Sequence, residues 1–241
     1  MIRKITLKSF ATIVCLFFSF VVLAQNDRPV KFGFDLGLGY ANQWGNAYDA
    51  YHKTGLFSFT FGADIDIRVS EKQFIEVGAN FNRKGCKIEG HRWVKEGGPW
   101  KFYTDEDKAT INMFYLQVPV KYGLCLPIED QVSWKLMVGP YFAFGLTGDR
   151  RNEYESDLAK VYNTLVDRES TVSTFNEEPK DFSFKRFDVG AKIQTGVTVD
   201  RVSYMIAYEL GFFNTLREAE DSDYGYKARN NSIMVIVSFR F

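Results

Sequence analysis

Apolar and polar residues alternate one by one along most of this chain. Between residues 30 and 41, Phe32, Phe34, Leu36, Leu38 and Tyr40 alternate with Gly33, Asp35, Gly37 and Gly39. A period of two places such sets on opposite faces of an extended strand. Seven further segments read the same way. Residues 56–69 set Phe57, Phe59, Phe61, Ile65 and Ile67 against Ser58, Thr60, Gly62, Asp64, Asp66 and Arg68. Residues 73–83 set Ile75, Val77, Ala79 and Phe81 against Glu76, Gly78, Asn80 and Asn82. Residues 111–124 carry Phe114, Leu116, Val118, Val120 and Tyr122 opposite Tyr115, Gln117, Pro119, Lys121 and Gly123. In residues 132–146, Trp134, Leu136, Val138, Phe142 and Phe144 share one face. Residues 184–199 alternate Phe187, Val189, Ala191 and Ile193 with Asp188, Gly190, Lys192 and Gln194. Residues 201–214 alternate Tyr204, Ile206, Tyr208 and Leu210 with Ser203, Ala207, Glu209 and Gly211. The last segment, 231–241, sets Ile233, Val235, Val237, Phe239 and Phe241 against Ser232, Ser238 and Arg240.

The connections alternate in length. Those at 69–73, 125–131 and 200–201 are short; those at 41–55, 84–110, 147–183 and 215–230 are long and polar. Short turns on one side and long loops on the other fit neighbouring antiparallel strands. The fold class predicted is all-β: an eight-stranded antiparallel up-and-down transmembrane β-barrel with long external loops. An even strand number returns both termini to the short-turn side. In the third long loop, Leu158, Val161, Tyr162, Leu165 and Val166 are spaced as one face of a helix, with Ser156 as its cap. The spacing predicts a short helix over the barrel mouth. Pro119 and Pro140 each remove a ladder donor, which predicts a bulge or a break in pairing at each.

Composition decides which way the apolar face points. Aromatics make up 17% of the chain, with 23 Phe. Beyond the N-terminus no stretch is apolar for 18 residues running, so no helix is expected to span a bilayer. A soluble eight-stranded barrel with a ligand cavity has the same period. Its cavity would be overfilled by so many rings, and the other face combines charges with glycine. An apolar face turned to lipid, with a polar interior, accounts for both. Such a sheet must close, because unpaired backbone groups are intolerable in hydrocarbon.

Residues 1–24 read as a cleaved signal: Arg3, Lys4 and Lys8, an apolar run from Ile13 to Leu23, and Val22 and Ala24 before the cut. Residues 25–241 then form the barrel domain. Cys15 lies within the apolar run, away from the cut, so no lipoprotein processing is expected. The full chain has 30 Lys+Arg and 30 Asp+Glu; losing three cations leaves a formal charge of −3. No nucleic-acid partner is indicated. Cys86 and Cys125 fall near opposite ends of the barrel and are expected to stay unpaired.

The chain ends on Phe239-Arg240-Phe241, which resembles the terminal assembly signal of bacterial outer-membrane barrels. The run Tyr115-Leu116-Gln117-Val118-Pro119-Val120-Lys121-Tyr122-Gly123 resembles small porin-family barrels of the PorT-like type common in Bacteroidota. Gly139-Pro140-Tyr141 and Phe187-Asp188-Val189-Gly190 match the same family habit, and Gln117 stands where that family carries an acid. The resemblance spans nearly the whole mature chain. It implies eight strands and an outer-membrane location, without one activity; some relatives serve in protein secretion.

Three sets of residues are candidates for function. The inward face offers Asp35, Asp64, Asp66, Glu76, Asp188 and Glu209 with Lys31, Arg68, Lys121, Lys135, Lys192 and Arg240, six of each sign. An eight-stranded barrel is just wide enough for its own side chains, so these are expected to pair into a plug. The competing reading is a narrow ion path, although no ring of one sign supports selectivity. The second set, Arg92, Trp93, Trp100, Phe102 and Tyr103, places aromatics among cations in the loop 84–110, which suits a glycan, a lipid headgroup or a protein partner. The third is the pair Phe239 and Phe241, for the barrel-insertion machinery. His52 and His91 fall in external loops without a serine motif, so no catalytic residue, metal ligand or cofactor is expected. The function expected is a structural or interaction protein of the envelope, such as an accessory of a secretion or uptake assembly. A narrow passive pore is the alternative and a membrane-embedded hydrolase a distant third. Its partners would be outer-membrane lipid, the insertion machinery and an envelope protein.

Overall fold

The computed structural model describes residues 30–48, 52–95, 100–153, 169–175, 183–217 and 225–241; the side chains of 48, 90–107, 152, 169 and 170 are not among those described. Nine strands are present among the described residues: β1 Val30–Trp44, β2 His52–Arg68, β3 Gln73–Lys95, β4 Trp100–Glu129, β5 Val132–Glu153, β6 Glu169–Ser173, β7 Phe187–Val199, β8 Val202–Gly211 and β9 Arg229–Arg240. Every pairing is antiparallel. The hydrogen-bonded order runs β4-β3-β2-β1-β9-β8-β7-β5, and β5 pairs back onto β4. That last pairing closes an eight-stranded barrel and removes its free edges. β6 lies outside the cycle. It takes over the edge of β5 above β7, with Asp149 opposite Ser173 and Glu153 opposite Glu169.

The alternation in the sequence becomes two faces. Phe34, Leu36, Leu38, Tyr40, Leu116, Val118, Ile193, Ile206, Ile233 and Val235 are exposed on the outside. Their chain neighbours, among them Asp35, Gln117, Lys192, Ala207 and Met234, are buried inside. Among the described residues no helix is long and apolar enough to cross a membrane. This apolar belt is carried by strands, as in a barrel whose outer wall meets hydrocarbon.

The prolines break the ladder without shifting it. Pairing between β3 and β4 passes from Val77↔Val120 to Asn80↔Gln117, and between β4 and β5 from Pro119↔Tyr141 to Tyr122↔Val138, with no change of register. Register shifts fall elsewhere: Gly55/Thr60 in β2, His91/Arg92 in β3, and Phe114/Tyr115 and Pro127/Glu129 in β4.

Three strands run well past the barrel. β4 has 30 residues against 10 in β8; the excess is on the order of 65 Å of extended chain. Most of the segment expected as a loop at 84–110 is therefore a continued β-hairpin, with Arg92 opposite Tyr103 and Trp93 opposite Phe102. The third long connection begins as the end of β5 and includes β6. The helix expected over 158–166 lies outside the described residues. Together, β3, β4, β5 and β6 form a sheet that projects from one side of the barrel on its long-loop end.

The interior is filled rather than open. Near the long-loop mouth Ile111, Met113, Tyr115, Tyr141 and Ala143 pack with Ala47, Phe175, Phe184, Leu216 and Ala228, which come from the connecting segments. A second apolar cluster joins Phe74, Met137, Met205, Ala207, Met234 and Ile236. The inward face was predicted as charged, polar and small residues with Tyr115. Tyr141 and the methionines Met113, Met137, Met205 and Met234 complete it, because polar and small residues alone cannot fill a barrel of this width.

Candidate functional site

Arg240, the penultimate residue, organises the turn-side half of the interior. β9 pairs with β1, and Gly33 stands opposite Arg240 on one side and Asp64 on the other. A Cβ on Gly33 would collide with the Arg240 guanidinium, its Cζ lying 2.7 Å from that point. The glycine thus makes room for the charged head. From there the guanidinium donates from Nε to Asp66 Oδ2 at 3.0 Å and from Nη2 to Glu76 Oε2 at 3.0 Å. It also pairs with Asp64 at 3.0 Å and Asp35 at 3.4 Å. One side chain holds carboxylates from three successive strands, which a forked planar cation can do and a point charge cannot. Ser238 donates its hydroxyl to Asp35 at 2.5 Å. Oxygens of Asp35, Asp64 and Glu76 come within 4.8 Å of one another, a spacing that suits a cation. Arg240 occupies that place.

Lys121 of β4 bonds Glu76 and reaches across to Gln194 of β7. A second cluster lies toward the long-loop mouth. Lys192 pairs with Glu209 at 3.0 Å, and Lys84 pairs with Glu209 at 3.3 Å and Asp188 at 3.4 Å. Gln117 donates to Glu209 at 2.9 Å, and Asn230 donates to Asp188 at 3.0 Å. The Lys84 ammonium sits 4.1 Å from the centre of the Tyr141 ring, a cation–π contact in a dry setting. Lys84 of β3 and Gln117 of β4 reach Glu209 of β8, and Lys84 and Lys121 also reach Asp188 and Gln194 of β7, so these bonds cross the lumen.

The expected lumen set is largely brought together, with two corrections and one omission. Asp35, Asp64, Asp66, Glu76, Lys121, Asp188, Lys192, Glu209 and Arg240 are buried in the two clusters, and Lys135 reaches Asp66 at 4.0 Å. Arg68 and Lys31 are not interior: both are exposed at the turn-side mouth, where they line a cavity of about 90 Å³ with Glu71, Lys72, Cys125 and Lys135. Their strands are still paired there, Lys31 with Asp66 and Arg68 with Phe74, but these are the strand ends, and the side chains reach the open mouth. Lys84 was missed. The sequence reading ended the third strand at residue 83, but the even-numbered face of β3 continues inward to Lys84, Cys86 and Ile88. The parity of Glu76, Asn80 and Asn82, carried two residues further, would have found it. The buried set therefore has six acids and five cations.

Cys86 and Cys125 are both free, the first buried near the outer end and the second at the turn-side mouth. Arg92, Trp93, Trp100, Phe102 and Tyr103 lie on the projecting hairpin, where backbone pairing is described and side chains are not. Phe239 and Phe241 face outward; Phe241 packs edge-on to Phe34 with ring centres 6.0 Å apart and is 70% exposed.

The model of the outer membrane protein beta-barrel domain family matches residues 23–217. The chain belongs to that family. Membership in this beta-barrel family places the protein in the outer membrane. Among solved structures it is similar to Neisserial surface protein A, at 10% identity over 87% of this chain and 97% of that one, TM-score 0.39. It is also similar to Ail of Yersinia pestis in complex with the heparin analogue sucrose octasulfate, at 10% identity over 88% and 98%, TM-score 0.35. OprG from Pseudomonas aeruginosa is similar at 11% identity over 87% and 95%, TM-score 0.34. No curated protein matches the chain in sequence. The family is defined by a membrane wall, and the wall is what the alternation here encodes.

Proposed function

We propose that this outer-membrane barrel is a structural or interaction protein of the envelope, an accessory of a secretion or uptake assembly, that meets its partner through the projecting β3–β6 sheet. The observation that carries this reading is the contrast between the two ends of β3, β4 and β5. Inside the wall their side chains are tied across the lumen; beyond it the same strands form a sheet with backbone edges along β3 and β6. A plugged barrel is a stiff base, and an exposed sheet edge is a surface to which a partner strand can add. The long connections face outward and both termini face the periplasm, after removal of residues 1–24. Phe239 and Phe241 serve as the insertion signal, and the 115–123 run resembles barrels of the PorT-like type. Gentle crosslinking on intact cells should trap one envelope protein on the sheet, and shortening the hairpin should abolish that adduct.

The second reading is a narrow pore. It draws on the polar side chains that follow one another from Arg240 through Lys121 and Glu209 to Asn230. Planar-bilayer recording separates the two. The plug reading expects little conductance from the intact protein, and steady selective channels would replace it with the pore.

A further inference from the structure

In the cavity at the turn-side mouth one sign of charge prevails. Four cations line it: Lys31 from β1, Arg68 from β2, Lys72 from the β2–β3 turn and Lys135 from β5. Two acids share the wall, Asp66 and Glu71. Asp66 is already held by the Arg240 guanidinium at 3.0 Å, and Glu71 is exposed on the turn. Among the described residues Lys31, Arg68 and Lys72 have no carboxylate within ion-pair distance.

The backbone holds this hollow in shape. Val69 and Ser70 donate their N–H groups to Gln73 O at 2.9 and 3.1 Å, which folds the turn. Cys125 of β4 donates its N–H to Lys72 O at 2.8 Å and keeps the turn against the end of that strand. Phe74 makes the inner side apolar. A Cβ on Gly123 would collide with its ring, so the glycine lets the ring lie inward, where it packs with Met137. The Lys135 ammonium sits 5.4 Å from the centre of this ring. Lys135 is 9% exposed, and its carboxylate partner, Asp66, is 4.0 Å away, beyond hydrogen-bond distance. Among the described residues its Nζ makes no hydrogen bond. A buried ammonium left in that state is costly until an acceptor completes it.

We propose that this cavity is an anion site for one phosphate group, with Lys135 as its buried donor and Lys31, Arg68 and Lys72 as its donors at the rim. A volume of about 90 Å³ has room for a single oxyanion. Arg68 offers a planar fork and the lysines offer point charges, a combination that suits a dianion. A cleft lined mainly by one sign focuses the field and draws in ions of the other. Because the cavity opens at the mouth, a free phosphate ion and the phosphate end of a larger monoester present the same chemistry to it. The site is separate from the projecting sheet and does not depend on which way the barrel faces.

The test uses the folded barrel in uncharged detergent. Cys125 lies in the cavity wall, whereas Cys86 is buried, so thiol modification followed by mass spectrometry reads the cavity directly. A sulfonate-bearing thiosulfonate reagent is compared with its quaternary-ammonium counterpart at fixed ionic strength. Cys125 should react at least about tenfold faster with the anionic reagent, and the urea-unfolded chain should show no such preference. Inorganic phosphate should slow the reaction to a plateau, and chloride at equal ionic strength should not. Combining Lys31→Ser, Arg68→Ser and Lys72→Ser, all at exposed positions, should erase the preference and raise the phosphate needed for half-protection at least about tenfold. Equal rates with the two reagents, or no reaction of Cys125 in the folded barrel, would overturn the site, and both are read on the unaltered protein. Protection by chloride equal to that by phosphate, or an undiminished phosphate effect in the folded triple variant, would overturn it as well. Protection by glycerol phosphate alongside inorganic phosphate identifies the end of a larger molecule as an acceptable ligand; protection by inorganic phosphate alone identifies the free ion.

Discussion

Arg240 shows what a single residue carries in a closed barrel. Its guanidinium is the common partner of Asp35, Asp64, Asp66 and Glu76. Removing one member of a buried ion pair leaves the other charged and unsolvated. Arg240→Leu should therefore cost about 3–5 kcal/mol in urea unfolding measured in vesicles. Arg240→Lys should recover only part of this, because one ammonium cannot reach four carboxylates at once. If the lysine variant unfolds like the wild type, charge alone explains the site and the fork geometry does not matter. The acids were visible in the sequence as inward positions. That they converge on a residue more than 160 positions away was not, since convergence needs β9 to pair with β1.

Each strand divides its residues between lipid and lumen, and the cost of a charge depends on face and depth. Phe59 lies on the outer face amid a ring cluster with Phe61, Phe81 and Phe114. Phe59→Arg near the middle of the belt should cost about 2–4 kcal/mol, and Tyr40→Arg near its edge about 0–1 kcal/mol. Reversible refolding in lipid compares them; equal costs would mean that the two positions lie at the same depth. The strands past the belt behave differently. Gly90 pairs with Asp107, beyond buried Ile88, so the hairpin can be cut there and rejoined by a tight turn without touching the interior clusters. The shortened protein should remain heat-modifiable on a gel while losing its crosslinked partner. Loss of heat-modifiability would show that the projection supports the barrel rather than the reverse.

At the scale of the molecule, the barrel is asymmetric: three short turns at one end, and at the other a sheet, an apolar cap and the long connections. The short-turn end should face the periplasm. An epitope inserted at Glu96 should be reached by antibody on whole cells, and one at Ile128, in the β4–β5 connection where the structure places an exposed turn end, should be reached only in lysed cells. The opposite result would invert the protein. The same asymmetry gives stiffness. Bonds from Lys84, Gln117 and Lys121 cross the lumen, so the wall cannot open without breaking buried charge pairs.

The sequence by itself determined the eight strands of the barrel and, within the wall, the alternation of faces, because a period of two is a property of the extended backbone and needs no partner. It also determined that the smooth face meets lipid, since so many rings could not fit within a barrel of this size. Where the strands stop was not legible. Lys84 follows the same parity as Asn82, yet a polar run reads equally as a loop or as strands beyond the membrane, and only pairing with β4 and β5 chose the latter. The places of Arg68 and Lys31 were illegible for the converse reason: alternation keeps its parity to the strand ends, where the inward side opens on the mouth. Which charges meet was decided by closure alone, because register in a barrel is fixed only when the last strand pairs with the first.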